Sequence, residues 1–213
     1  MKNKKDLWFS VVFFVLFILW TLLVSIVDVQ AIGPRDSSVG FATVNGMFHR
    51  LTGVHMTLYH ITDWLGLVPV AFGFGFAILG LIQWIKYKHI LKVDYSILVL
   101  GAYYIFVLAA YLFFEEFVIN FRPVLISGYL EASYPSSTTL LVLCIMPTAN
   151  MQLNNRIKNH NLRRIVSCSI KAFVAFMVIG RLLSGVHWLT DIVGGVVLSG
   201  GLVKLYRFLS NQK

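Results

Sequence analysis

Three short stretches carry side chains able to do chemistry together. They are F-R-P at Phe121–Pro123, Y-P-S-S-T-T at Tyr134–Thr139, and G-R-L-L-S-G-V-H-W-L-T-D at Gly180–Asp191. In the last, His187 and Asp191 stand four apart, about 40° around a helix, so the carboxylate is expected to reach the imidazole and fix its tautomer. Arg181 precedes His187 by six positions, about 240° on a continuous helix, so the two converge only if the chain turns near Ser184 and Gly185. Arginine presents a planar fork suited to phosphate oxygens, and a Pro-Ser-Ser turn opening a helix offers hydroxyls and free backbone N–H groups to an anion. Arg122, Arg181, Ser136 and Ser137 therefore describe a phosphate pocket. A histidine oriented by a carboxylate beside such a pocket can attack phosphorus and form a phosphohistidine that water later opens. Taken singly, the arginines read as cations snorkelling to headgroups, and His187 with Asp191 as a self-satisfied helix start; taken as a set, they read as a site.

The elements that must position them are membrane spans. Of the 213 residues, 58% are hydrophobic and the mean hydropathy is +0.77, more apolar than a soluble domain of this length can bury. The net charge of +9 is no sign of nucleic-acid binding, because the basic residues lie in short clusters between apolar runs, with no basic domain or aromatic RNA motif. Cys144 and Cys168 fall inside apolar runs and read as packing residues. The first run, 7–27, is too long for a secretory leader and lacks a small-residue cleavage site, so it is expected to remain as a helix. Further runs at 65–85, 95–119, 136–153, 165–184 and 188–206 can each cross about 30 Å of hydrocarbon. The prediction is an all-α polytopic bundle of six transmembrane helices in one membrane domain, with an outer loop and one short interfacial helix in 29–64. Gly66, Gly73, Gly75 and Gly80 are expected to allow close packing of the second span.

Six crossings put both termini on one side, and the charges agree. Lys2, Lys4 and Lys5, then Lys86, Lys88 and Lys92, then Arg156, Lys158, Arg163 and Arg164, then Lys204, Arg207 and Lys213 all fall on that side, thirteen of the eighteen basic residues. By the positive-inside rule it is the cytoplasmic one. The opposite side holds Arg35, Arg50, Arg122 and Arg181 with seven of the nine acids: Asp28, Asp36, Asp63, Glu115, Glu116, Glu131 and Asp191. Cytoplasmic retention does not explain those arginines, and an extracytoplasmic site does. Lys171, inside a span, reads as snorkelling toward the basic loop more simply than as an ion relay with Glu115.

R-P, P-S-x-x-T and R-x5-H-x3-D, in this order on the outer ends of three late spans, resemble the type 2 phosphatidic acid phosphatase family of membrane lipid phosphatases. Residues 122–191 carry the resemblance, and G-V-H-W-L-T-D-I-V-G-G is its most specific part. It implies a six-helix bundle, no metal or other cofactor, a lipid phosphate or diphosphate as substrate, His187 as nucleophile, Asp191 as its orienting partner, and Arg122, Arg181 and Ser136 as phosphate ligands.

Two positions depart from the pattern. The family's first motif begins with a lysine seven residues before the R-P arginine, where this chain has Glu115. Its second motif is P-S-G-H, with the histidine as proton donor to the leaving group, where this chain has Ser137 and Thr138. Threonine is no comparable acid near neutrality. Loss of a general acid costs roughly 10²- to 10⁴-fold, which a good leaving group can offset, so the expectation is a preference for a lipid diphosphate such as polyprenyl diphosphate. Alternatively Glu115 or Glu116 donates the proton, or both sit at a solvated helix end. The competing readings are a lipid phosphotransferase, and a binding or transport protein whose arginine pocket holds a phospholipid headgroup without turnover.

Overall fold

The computed structural model describes residues 2–211, so Lys213, counted above among the basic residues, lies outside the described residues. Eight α-helices follow in order among the described residues: α1 (Lys2–Ile26), α2 (Ala42–Thr52), α3 (Met56–Leu65), α4 (Leu67–Tyr87), α5 (Tyr95–Glu116), α6 (Ser137–Arg156), α7 (His160–Leu183) and α8 (Leu189–Ser210). Five helical stretches are long and apolar enough to cross a membrane: Lys4–Ile26, Met56–Tyr87, Tyr95–Glu116, His160–Leu183 and Leu189–Ser210. The protein is a multi-pass membrane protein with outward-facing rows such as Val15, Ile18, Leu19 and Leu22 on α1 left exposed for lipid.

The expected fourth span, α6, is not among those five. It carries Thr148, Asn150, Gln152 and Asn154 and has Pro147 in its interior. Its position explains the polarity, because α6 packs against α4, α5, α7 and α8 and buries Leu140, Val142, Cys144, Met146 and Ala149. A helix surrounded by protein does not have to satisfy lipid. Thr148 Oγ1 lies 3.2 Å from Tyr104 Oη of α5, and Gln152 Nε2 donates to Tyr206 Oη of α8 at 2.5 Å.

The segment expected to hold one interfacial helix holds two, α2 and α3, broken at Gly53 (φ +68°). Only Gly66 separates α3 from α4, so the apolar stretch is continuous over 32 residues. Of the α4 glycines, Gly80 packs as expected, where a Cβ would press Ile97 Cγ2 of α5 at 3.1 Å, but two others do not. A Cβ at Gly75 would meet nothing within 4 Å and one at Gly73 only Tyr104 at 3.9 Å, whereas one at Gly194 of α8 would press the Tyr134 ring at 2.6 Å and one at Gly200 the Phe13 ring at 2.9 Å. The tighter packing belongs to α8, against which α1 runs antiparallel: Ser10 Oγ donates to Gly201 O at 2.9 Å, and Lys204 pairs with Asp6 at 3.1 Å.

Those contacts, with the Arg156–Asp94 ion pair at 2.9 Å, mark the basic end of the bundle. At the other end α7 stops at Leu183 and the chain reverses through Gly185 (φ +69°), as the spacing of Arg181 and His187 required. The turn is seated on α2 and its exit, with His55 N donating to Ser184 O at 2.9 Å and His49 Nε2 lying 3.1 Å from Gly185 O. A Cβ on Gly185 would collide with the Gly53 carbonyl. Gly185→Ala is therefore expected to lower stability by about 1–3 kcal/mol, read as a lower thermal midpoint in detergent micelles. Gly128→Ala, also at positive φ (+84°) but with open space around it, isolates the backbone part and should cost less; equal losses would show that the Gly53 contact contributes nothing.

Candidate active site

The chain between α5 and α6 folds into a small loop whose ends are held together. Phe121 bridges Ala132 in antiparallel fashion, Arg122 N donates to Glu131 O at 3.1 Å, and Ser133 N donates to Asn120 O at 2.9 Å. This brings Arg122 and Ser133 to one place. Ser136 N then donates to Asp191 O at 3.1 Å, tying the start of α6 to the start of α8. Tyr134 Oη and Thr21 Oγ1, 2.7 Å apart, add α1 to the same joint.

His187 sits in the middle, 2% exposed. It precedes α8 rather than lying on it, and its Nδ1 is 3.9 Å from Asp191 Oδ2, beyond hydrogen-bond reach. The expected direct contact is therefore replaced by a bridge: Ser133 Oγ donates to Asp191 Oδ2 and lies 3.1 Å from His187 Nδ1. Because the serine hydrogen goes to the carboxylate, its oxygen must accept, and Nδ1 carries the imidazole proton. Asp191 is fixed in turn by Trp188 N, donating to Oδ2 at 2.8 Å, and by Asn120 Nδ2, donating to Oδ1 at 3.3 Å. The i,i+4 spacing was correctly read as proximity, but the carboxylate closes the first turn of α8 instead of touching the ring.

With Nδ1 protonated, the Nε2 lone pair points at two guanidinium groups, Arg122 Nη1 at 3.4 Å and Arg181 Nη2 at 3.3 Å. Burial, and then the two arginine charges, hold His187 well below its usual 6.5, with the Ser133 bond opposing them. The imidazole is neutral at physiological pH. Arg181 is 1% exposed; its Cζ lies 4.9 Å from the Tyr59 ring centroid and its Nη1 3.6 Å from Asp63 Oδ1. Arg122 lies 6.0 Å from the same ring, and its Nε is 3.0 Å from Glu131 Oε2. Nε and Nη1 of Arg181 have no hydrogen-bond acceptor, and an unmet buried donor costs about 1–3 kcal/mol that an anion would recover.

Both arginines line a cavity of about 680 Å³, together with Tyr59, Asp63, Tyr111, Glu115, Glu131, Ser137 and Thr138. His187 meets this cavity only through the guanidinium groups. Ser137 and Thr138 thus face the site as expected, and so does Glu115; Glu116 and Lys171, both exposed, do not line it. Ser136 is sealed beneath: its backbone N–H is taken by Asp191 O, and its buried Oγ has no hydrogen-bond partner. The free N–H groups expected at this turn are consequently those of Ser137 and Thr138, in the first turn of α6.

Sequence reasoning missed Ser133, Asn120, Tyr59 and Asp63 as site residues and read Glu131 only as an outer acid. Ser133 stands one residue before the Y-P-S-S-T-T stretch and shows no periodic mark. Tyr59 and Asp63 are an i,i+4 pair on α3, visible only once that helix is known to lie against the bundle.

A search of the curated proteins gave no match. Among solved structures the chain is similar to the crystal structure of a transmembrane PAP2-type phosphatidylglycerolphosphate phosphatase from Bacillus subtilis, with 17% identity over 94% of each chain and a TM-score of 0.57, a likeness of fold. The family model of the PAP2 superfamily matches residues 37–213. That match runs through every part of the site, from Tyr59 on α3 to Asp191 on α8, and on its strength the chain belongs to the PAP2 superfamily.

Proposed function

We propose that the protein is a membrane lipid phosphatase acting through a phosphohistidine at His187. The observation that carries this reading is the neutral, buried Nε2 held 3.3–3.4 Å from two guanidinium groups that line a polar cavity. A phosphate entering the cavity takes the unmet donors of Arg181 and those of Arg122, and displaces both guanidinium groups from Nε2. The freed lone pair attacks phosphorus while the oxygen opposite leaves, and the arginines hold the charge of the equatorial oxygens. The positive charge growing on the imidazole is met by Asp191 through Ser133, which also keeps the Nδ1 proton in place. Water then attacks phosphorus, the P–N bond returns its electrons to Nε2, and phosphate departs.

Nothing titratable stands at Thr138, so the site demands a leaving group that departs with little protonation. A lipid diphosphate, which releases a phosphate monoester, meets that demand chemically. The same reading places the chain across the membrane six times, α3 with α4 forming the second crossing and protein-surrounded α6 the fourth. Both termini then lie at the basic, cytoplasmic end, and the cavity opens at the extracytoplasmic face. The whole chain acts as one membrane domain.

Four measurements check the mechanism. With purified protein and lipid phosphates or diphosphates, His187→Ala should lower phosphate release roughly 10³-fold or more and abolish acid-labile phosphoprotein on quenching; unchanged rates would remove the nucleophile. Because a base with a depressed pKa keeps its lone pair until pH falls below that lowered value, phosphohistidine formation should not decline as pH falls through 6.5. Arg122→Gln removes one of the two opposing charges and should move the acid limb upward, partway only, since burial is the larger cause. Ser133→Ala breaks the bridge to Asp191 and should slow turnover about 10²-fold and alter the pH profile, with Ser133→Thr restoring both; a fall in stability with kinetics intact would make Ser133 merely structural.

A further inference from the structure

The basic end of the bundle holds a second cluster of cations with a recess beside it. Asn154 and Asn155 at the end of α6, with His160, Arg163, Arg164 and Ser167 at the start of α7, line a surface hollow of about 370 Å³. The α7 members fall within about 100° of one helix face. Ser167 Oγ donates to Asn150 Oδ1 at 2.8 Å and to Asn154 Oδ1 at 2.9 Å, which seats that face against α6. Asn154, its oxygen so engaged, is left with amide N–H groups to offer a ligand. Lys171 stands one turn beyond Ser167 on the same face, about 6 Å along the axis, and its Cα–Cβ bond tilts toward the N-terminus of α7 and so toward the hollow.

These cations are unmatched. This end of the bundle has two acids, and both are taken, Asp94 by Arg156 at 2.9 Å and Asp6 by Lys204 at 3.1 Å and Arg207 at 4.0 Å. No carboxylate lines the hollow, and among the described residues neither the half-buried Arg163 nor the exposed Arg164 has an ion-pair partner. Membrane insertion accounts for positive charge at this end, but not for its gathering around a recess lined with hydrogen-bond donors. Leu162 and Ile165, exposed next to the two arginines, set this turn of α7 where headgroups meet acyl chains.

We infer that the hollow binds the headgroup of a net-anionic phospholipid from the adjoining leaflet, its phosphate held by Arg163 and Arg164 and its hydroxyls by Asn154 and Asn155. Basic recesses between membrane helices recognise anionic headgroups by this pairing of fixed charge with nearby donors. A zwitterionic headgroup fits poorly, because its ammonium would meet cations and no acid. The site is separate from the one at His187, since Arg164 and Arg181 stand about 25 Å apart along α7. It goes beyond the phosphatase reading and does not depend on it. A headgroup seated there bridges α6 and α7 beside the Ser167 contacts, and so stabilises the folded bundle.

Titration of the full chain in neutral detergent micelles, with phosphatidylglycerol and with phosphatidylcholine of equal chain length, tests the site. Lipid retained per protein and the thermal midpoint are the two readouts. Phosphatidylglycerol should bind at least about tenfold tighter and raise the midpoint further. Arg163→Gln with Arg164→Gln should remove that preference, and Arg163→Lys with Arg164→Lys should keep part of it. Lys86→Gln with Lys88→Gln, an equal loss of charge at the same end but outside the hollow, should leave the preference in place, as should Arg181→Gln. Equal binding of the two lipids, or a preference that survives loss of both arginines, would overturn the proposal. So would an equal loss in the Lys86 and Lys88 protein, which would reduce the effect to diffuse surface charge. Loss in the Arg181→Gln protein would assign the lipid to the His187 pocket, and displacement by an equal concentration of glycerol phosphate would make the hollow a site for soluble anions; either result also overturns it. Phosphoprotein formation at His187 is measured separately, so the two readings stand or fall apart.

Discussion

A buried imidazole can face two guanidinium groups only while it turns a lone pair toward them. Everything at this joint of the fold serves that condition. Asp191 is pinned by Trp188 N and Asn120, Ser133 donates its hydrogen to Asp191 and accepts a hydrogen bond from Nδ1–H, and Nε2 is left bare between Arg122 and Arg181. Were the proton on Nε2, three cationic or donor groups would crowd one dry point with no acceptor among them. Placing it on Nδ1 requires the loop after α5, the start of α6, the turn after α7 and the start of α8 to meet. Their backbone ties, Ser136 N to Asp191 O and Ser133 N to Asn120 O, do this. The tautomer and the helix packing are thus one problem with one solution.

Much of this was legible in the sequence, because bilayer thickness and charge asymmetry leave long, simple traces. Five apolar runs became spans, and the reversal at Gly185 followed from the angular gap between Arg181 and His187. What was hidden depended on contacts between elements. The i,i+4 relation of His187 and Asp191 presumed a helix that begins two residues too late, so the bridging hydroxyl came from 54 residues away in sequence. Close packing at glycines was expected on α4, where Gly80 does meet Ile97, but the tighter contacts fall on α8, because the rings of Tyr134 and Phe13 press there from elsewhere in the chain. Charge counting likewise assigned Asp63 and Glu131 to a face of the membrane and could not show that each holds one of the site's arginines.

Those two ion pairs give the resting cavity a particular character. Each guanidinium is shared between a carboxylate at the rim and the imidazole behind it, while Tyr59 lies under both. The arginines are consequently oriented in advance, and in the proposed reaction an arriving phosphate would exchange one set of charge-assisted contacts for another instead of ordering loose side chains.

The polarity of α6 carries a consequence for how the protein is made. A helix with Thr148, Asn150, Gln152 and Asn154 along it gains little by entering lipid alone. Its polar groups are matched by Tyr104 and Ser96 of α5, by Ser167 of α7, which donates to Asn150 and Asn154, and by Tyr206 of α8. The α5 partners are synthesised before it and the other two after it. The helix that opens with the cavity-lining Ser137 and Thr138 therefore completes its polar contacts only once α7 and α8, with the turn that carries His187 between them, have been made. The contacts that seat α6 and those that surround His187 thus draw on the same last two helices of the chain.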